Sequence, residues 1–156
     1  MPSVETDRIE KHIVLRAARS RVWKAISNAK EFGDWFRVAF DGEFREGTVI
    51  RGPLLYPGFE HIMVEILVVR MEPECLFSFR WHPDASDPAV DYSAEPTTLV
   101  EFRLEDAPDG SGGTALTLVE SGFDAIPIER RAEAFGSNDG GWTEQMKNLE
   151  RYVTDS

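Results

Sequence analysis

The stretch PIERRAEAFGSNDGGWTEQMKNLERYV, residues 127–153, decides the fold. Within it Ile128, Ala132, Phe135, Asn138, Trp142, Met146, Leu149 and Val153 follow one another at steps of 4, 3, 3, 4, 4, 3 and 4. Seven steps over 25 residues average about 3.6, the α-helical period. Pro127 suits a first helical position, and Glu129 and Glu133 suit the positive end of the helix dipole. Gly136, Gly140 and Gly141 oppose a helix, at about 1 kcal/mol each relative to Ala. The apolar stripe nevertheless keeps its phase across them, so the spacing predicts one long amphipathic helix.

Such a helix needs an apolar surface to cover, and the residues before it read as strands. Residues 9–16 alternate, with Ile9, Ile13 and Leu15 on one face. Ser20 then offers an N-cap for a short helix holding Val22, Trp23 and Ile26. Asn28 with Glu31 three residues later resembles a capping box for a second short helix over 29–33, ending near Gly33. Val38–Arg45 and Thr48–Leu54 read as a hairpin turning at Glu46-Gly47, with the rival turn signal Asp41-Gly42 placed inside a strand. Further strands are expected over 60–71, 75–82, 97–105 and 114–121, the last two joined by the turn-rich segment 106–113. The polar segment 83–96 reads as a loop. An antiparallel sheet with one polar face must cover its apolar face, and the long helix is the element able to do so.

This order of elements resembles the START-like, or SRPBCC, superfamily, and within it the branch related to the C-terminal domain of the Hsp90 ATPase activator. The carriers are Ala17-Ala18-Arg19-Ser20-Arg21-Val22-Trp23 at the strand-to-helix junction, Trp35-Phe36, the spacing of Pro73, Leu76 and Trp81, Thr114 with Glu120-Ser121-Gly122-Phe123, and Asn138, Gly140, Gly141 and Trp142 in the long helix. Many members have Pro where Ala18 stands. The resemblance implies an α+β helix-grip fold: a curved antiparallel sheet of about seven strands around the long helix, with two short helices after the first strand, in one domain over 1–156. It also implies a pocket between sheet and helix for apolar or amphipathic molecules. Polyketide cyclase-like proteins and antibiotic-resistance proteins belong to the same branch. The Hsp90 activator itself works with a further N-terminal domain, so the resemblance does not carry chaperone function.

Composition narrows the partners. The chain has 156 residues and a net charge of −11, which repels phosphate backbones and anionic membrane surfaces. Nucleic acid and membrane are therefore not expected partners, and homodimerisation is left open. No secretory signal and no run of about 18 apolar residues is visible, so a cytoplasmic location is expected. The single cysteine, Cys75, excludes an internal disulfide and lies in an apolar run, where a buried structural thiol is expected.

The candidate chemistry is sparse. His12, His61 and His82 fall on three different strands without ligand spacing, and Asp84, Asp87 and Asp91 lack the pattern of a calcium loop, so no metal and no cofactor is expected. Glu120 shares the inward register of Leu116 and Leu118, where a carboxylate needs a cation or hydrogen-bond donors to offset desolvation. It reads as a polar anchor or general base for a ligand, or, as the residues favour, a hydrogen-bonded structural residue. Asn138 interrupts the helical stripe and must bond neighbours or face a wet cavity. Trp35, Phe36, Phe77, Phe79, Trp81, Phe135, Trp142 and Met146 complete the expected ligand-binding set, and Gly140 and Gly141 leave room beside Trp142. No catalytic set is visible. The expected function is binding of an apolar small molecule. The alternatives are a cyclase-type enzyme using the same pocket, with Glu120 as its acid or base, and a protein-interaction module.

Overall fold

The computed structural model describes residues 8–83, 91 and 94–154. Strand β1 (Arg8–Leu15) leads to helices α1 (Arg19–Ser27) and α2 (Ala29–Phe36). Strands β2 (Val49–Pro53), β3 (Met63–Glu72), β4 (Leu76–Trp81), β5 (Thr98–Asp106) and β6 (Thr114–Ser121) come next. A 3₁₀ turn at Phe123–Ala125 precedes helix α3 (Ile128–Thr154). The six strands form one antiparallel sheet in the order β1-β6-β5-β4-β3-β2. Helix α3 runs unbroken through its three glycines.

The helical stripe holds from its middle onward. Trp142, Met146, Leu149 and Val153 are buried. Ile128 is not: it is 77% exposed, and Ala132 is exposed too. The first turns of α3 meet the 3₁₀ turn, where Phe135 packs edge-on against Phe123 at 5.1 Å. A correct period thus continues past the point where there is an interior to face.

Three other boundaries depart from expectation. The N-cap of α1 is Ala18, whose carbonyl accepts from Arg21 and Val22, and Ser20 lies in the first turn. Asn28 does cap α2, accepting the Glu31 backbone N–H at 3.0 Å, but that helix continues to Phe36. Gly33 does not end it. A Cβ there would lie 2.2 Å from the Val38 carbonyl oxygen, so the glycine admits a close backbone crossing. Cys75, expected to be buried, is exposed at the Glu72–Cys75 turn, before β4 enters the interior.

The strand expected over 38–45 is replaced by a strap. Val38 bridges Leu54, and the Ala39 and Asp41 N–H groups donate to the Pro53 and Arg51 carbonyls along the open edge of β2. The chain then bends at Asp41-Gly42 and commits Phe40 and Phe44 to the core rather than to pairing. Phe32 sits at the centre of that core, with Trp35, Phe36, Phe40, Phe44, Phe77, Phe79 and Phe102 within 4.7–6.5 Å between ring centroids. Offset and edge-on ring pairs of this kind add stability beyond area burial alone.

One polar knot joins the three helices. Glu31 of α2 accepts from Arg21 of α1 at 2.8 Å and from Tyr152 of α3 at 3.1 Å, with Lys24 at 3.4 Å. The Arg21 guanidinium also lies 5.1 Å from the centre of the Tyr152 ring. Burial acts to raise the Glu31 carboxyl, but the hydrogen bonds from Arg21 and Tyr152, the Arg21 charge and the Lys24 contact together hold it below its usual value. Burial and the facing Glu31 raise Tyr152.

Candidate functional site: a cleft backed by a buried carboxylate

Sheet register brings Glu120 and its donors together. Trp81 pairs with Thr98 across β4 and β5, and Glu120 pairs with Val100 across β5 and β6. Thr98 is two residues from Val100 and so lies on the same face, diagonal to Glu120. From the opposite side, Asn138 and Trp142 stand four residues apart on α3, one above the other on a single helical face. All four donate to the fully buried Glu120. Oε2 accepts from Trp81 Nε1 at 2.7 Å and Thr98 Oγ1 at 2.5 Å, and Oε1 accepts from Trp142 Nε1 at 2.8 Å. Asn138 Nδ2 is shared between both oxygens at 3.0 Å.

Five contacts fill about four lone-pair positions of a carboxylate. Among the described residues none of its donors is a cation: Glu120 is met by neutral N–H and O–H groups. The same bonds fix the two indoles. Trp81 and Trp142 are tied to one carboxylate by their ring nitrogens, and their rings stack at 5.6 Å with 27° between planes.

Above this floor lies a cleft of about 260 Å³ lined by Phe36, Leu54, Tyr56, Trp81, Ser137, Asn138, Gly141, Trp142 and Gln145. Four residues singled out from sequence, Phe36, Trp81, Asn138 and Trp142, border it. Trp35, Phe77, Phe79 and Met146 lie in the packed interior instead, and Trp35 donates its indole N–H to the Ala25 carbonyl at 2.9 Å. Phe135 borders a separate depression with Ile128, Arg131, Ala132 and Gly136. Glu120 lies beneath the cleft without lining it.

The lining residues that sequence reasoning missed divide by cause. Gly141 is not among them, since its place beside Trp142 already marks it as leaving room there. Gln145 stands seven residues after Asn138, on the helical face that already carried Asn138 and Trp142, so the helical period points to it. Leu54 and Tyr56 belong to the β2–β3 connection, and nothing local places that loop against α3. It is held there by Gln145 Nε2, which donates to the Phe36 carbonyl at 3.2 Å and to the Tyr56 hydroxyl at 3.4 Å. The Gln145 Oε1 accepts from Asn148 at 3.0 Å, so this amide is committed.

The histidines stay apart: His12 contacts Thr117 and Glu10, His82 contacts the Glu95 carbonyl, and His61 is exposed. Among the described residues no group of three His, Cys, Asp or Glu side chains could hold a metal. Asp84 and Asp87 lie outside the described residues.

Comparison with known proteins places the chain. Residues 16–154 match the family model of the Activator of Hsp90 ATPase homolog 1-like protein. No match was found among curated proteins. Among solved structures, protein MLL2253 from Mesorhizobium loti superposes with a TM-score of 0.73 at 19% identity, covering 96% of this chain and 98% of that one. DynU16, a protein of the dynemicin biosynthetic locus, gives 0.70 at 21% identity, with 95% of this chain matched to 47% of that one. The Aha1 dimer from Colwellia psychrerythraea gives 0.69 at 14%, covering 94% and 95%. Identities this low establish a shared fold.

Proposed function

Because the chain belongs to the Activator of Hsp90 ATPase homolog 1-like family, whose fold encloses space between sheet and helix, we propose that it binds a small apolar or amphipathic molecule in the cleft over Trp81 and Trp142. The observation that carries this reading is the cleft itself: aromatic walls, a few neutral polar groups, and two indoles immobilised from below. Small-molecule sites are concave, mostly apolar and run to roughly 300–1,000 Å³. At about 260 Å³ this one suits a small guest.

Binding is favoured over conversion by the chemistry of the lining. A cyclase-type reaction needs an acid or base within reach of the guest. Among the described residues Tyr56 is the one ionisable side chain lining the cleft, and Glu120 is buried beneath it with its acceptor positions filled. Native mass spectrometry of the purified protein is expected to show added mass released unchanged on denaturation. Ligand-free protein that also fails to bind any neutral aromatic probe saturably would refute the reading.

An interaction module is the second reading. Val49, Met63, Leu67 and Val69 are all exposed on β2 and β3, with Val49 directly opposite Leu67. Light scattering coupled to size exclusion tests it in its simplest form, self-association.

A further inference from the structure

The carboxylate beneath the cleft has its hydrogen bonds satisfied and its charge unmatched by them. Glu120 is fully buried. The indoles of Trp81 and Trp142 and the Asn138 amide nitrogen can only donate to it, and the Thr98 hydroxyl adds a fourth group. Those partners suit the ionised form, yet among the described residues none of them carries a positive charge. Buried charges are ordinarily paired with an opposite one. With both oxygens engaged, Glu120 has no lone pair left for a guest and acts on the cleft only through its field.

The other side of the same residues suits a positive guest. Among the described residues the lining includes no Lys, Arg or His that would compete for that field. Four of its members are aromatic: Phe36, Tyr56, Trp81 and Trp142. The rings of Phe36, Trp81 and Trp142 lie 5.6–6.1 Å from one another, so one guest can touch all three. Ring faces attract a cation held within about 6 Å, and an indole whose N–H donates to an anion is polarised further in that sense. Acceptors, by contrast, are scarce. The Gln145 amide is engaged at both ends, and Asn138 turns its nitrogen toward Glu120. A metal ion or a primary ammonium needs oxygen atoms in place of its strongly held water. A fully alkylated ammonium has no N–H to satisfy and needs only aromatic surface and a negative field.

Resting on the binding function proposed above, we infer that the cleft selects an organic cation with an alkylated ammonium head. The head sits against Phe36, Tyr56, Trp81 and Trp142, and Glu120 supplies the counter-charge from below without touching it. The chain's net charge of −11 draws such a cation toward the protein.

The test titrates three probes into the full chain and reads the indole N–H resonances of Trp81 and Trp142. They are choline, its uncharged carbon isostere 3,3-dimethylbutan-1-ol, and ethanolamine, which keeps the charge together with N–H donors. Choline is expected to bind at least about tenfold more tightly than either, the order of gain for a cation on desolvated rings. In Glu120→Gln the preference for choline over the alcohol is expected to fall below about threefold. In Tyr56→Leu, which puts an aliphatic group where a ring lines the cleft, that preference is expected to fall by at least about threefold. Alcohol or ethanolamine matching choline on the natural sequence, or a tenfold preference surviving in Glu120→Gln, would each overturn the inference. If Glu120→Gln loses all binding, Tyr56→Leu decides: a reduced preference upholds the inference and an unchanged one overturns it. Binding of the alcohol or of a neutral aromatic probe without binding of choline would overturn it while sparing the binding function. Failure of every probe on the natural sequence would remove both.

Discussion

A single side chain, Glu120, ties two strands and the long helix to one point. Replacing it with Ala strands four donors, and each buried unpaired donor costs about 1–3 kcal/mol. Glu120→Ala is therefore expected to lose more than about 3 kcal/mol in urea denaturation. Glu120→Gln keeps the shape but turns one acceptor into a donor facing donors, with an expected cost of about 1–3 kcal/mol. Both should weaken the near-ultraviolet circular dichroism of the stacked Trp81–Trp142 pair, and an unchanged spectrum would mean the indoles are held by packing instead. At the other extreme, exposed Cys75 is expected to react with a thiol reagent in the native protein within minutes. Protection until denaturant is added would restore the buried thiol read from its apolar neighbours. Glu120 and Asn138 could be picked out of the sequence because each is a polar residue in an apolar register. That they bond each other could not, since it depends on how β6 and α3 approach across 18 residues.

At the scale of elements, periodicity revealed α3, β5 and β6 almost to the residue, because each has a face committed to the interior. It failed where an element has no interior to meet. Leu149 is fully buried and Lys147 exposed, so Leu149→Ala is expected to cost about 2–5 kcal/mol and Lys147→Ala under about 0.5 kcal/mol. Equal shifts in urea midpoint would show the helix to be rotated from the arrangement described. The segment 38–45 misled for a different reason. Its alternation of Val38 and Phe40 is real, but the chain then bends and turns Phe44 into the core, and a pattern of burial does not reveal who the hydrogen-bond partner is. The same ignorance of long-range contact concealed Leu54 and Tyr56 from the site.

Across the whole molecule, the Glu31 knot makes stability depend on pH. Its carboxyl is held below the unfolded value of 4.5, so the folded state gives up its proton more readily than the unfolded chain. The stabilisation is therefore present above about pH 4.5 and is lost as pH falls through the lower, folded value. Glu31→Gln is expected to lower the urea midpoint at neutral pH and to match the parent in strong acid. A constant difference at every pH would show the knot to act by shape alone. The strap over β2 reaches furthest of all. A strand edge left bare is a template for pairing with other chains, and here the chain seals one edge with its own residues 38–41, at a crossing so close that a Cβ on Gly52 would lie 2.1 Å from the Ala39 oxygen. Gly52→Val is then more than a local clash: it unseats the seal while the strand beneath stays intact. Turbidity that rises with protein concentration under conditions where the parent stays clear is the expected sign, and it would make this one glycine a guardian against polymerisation.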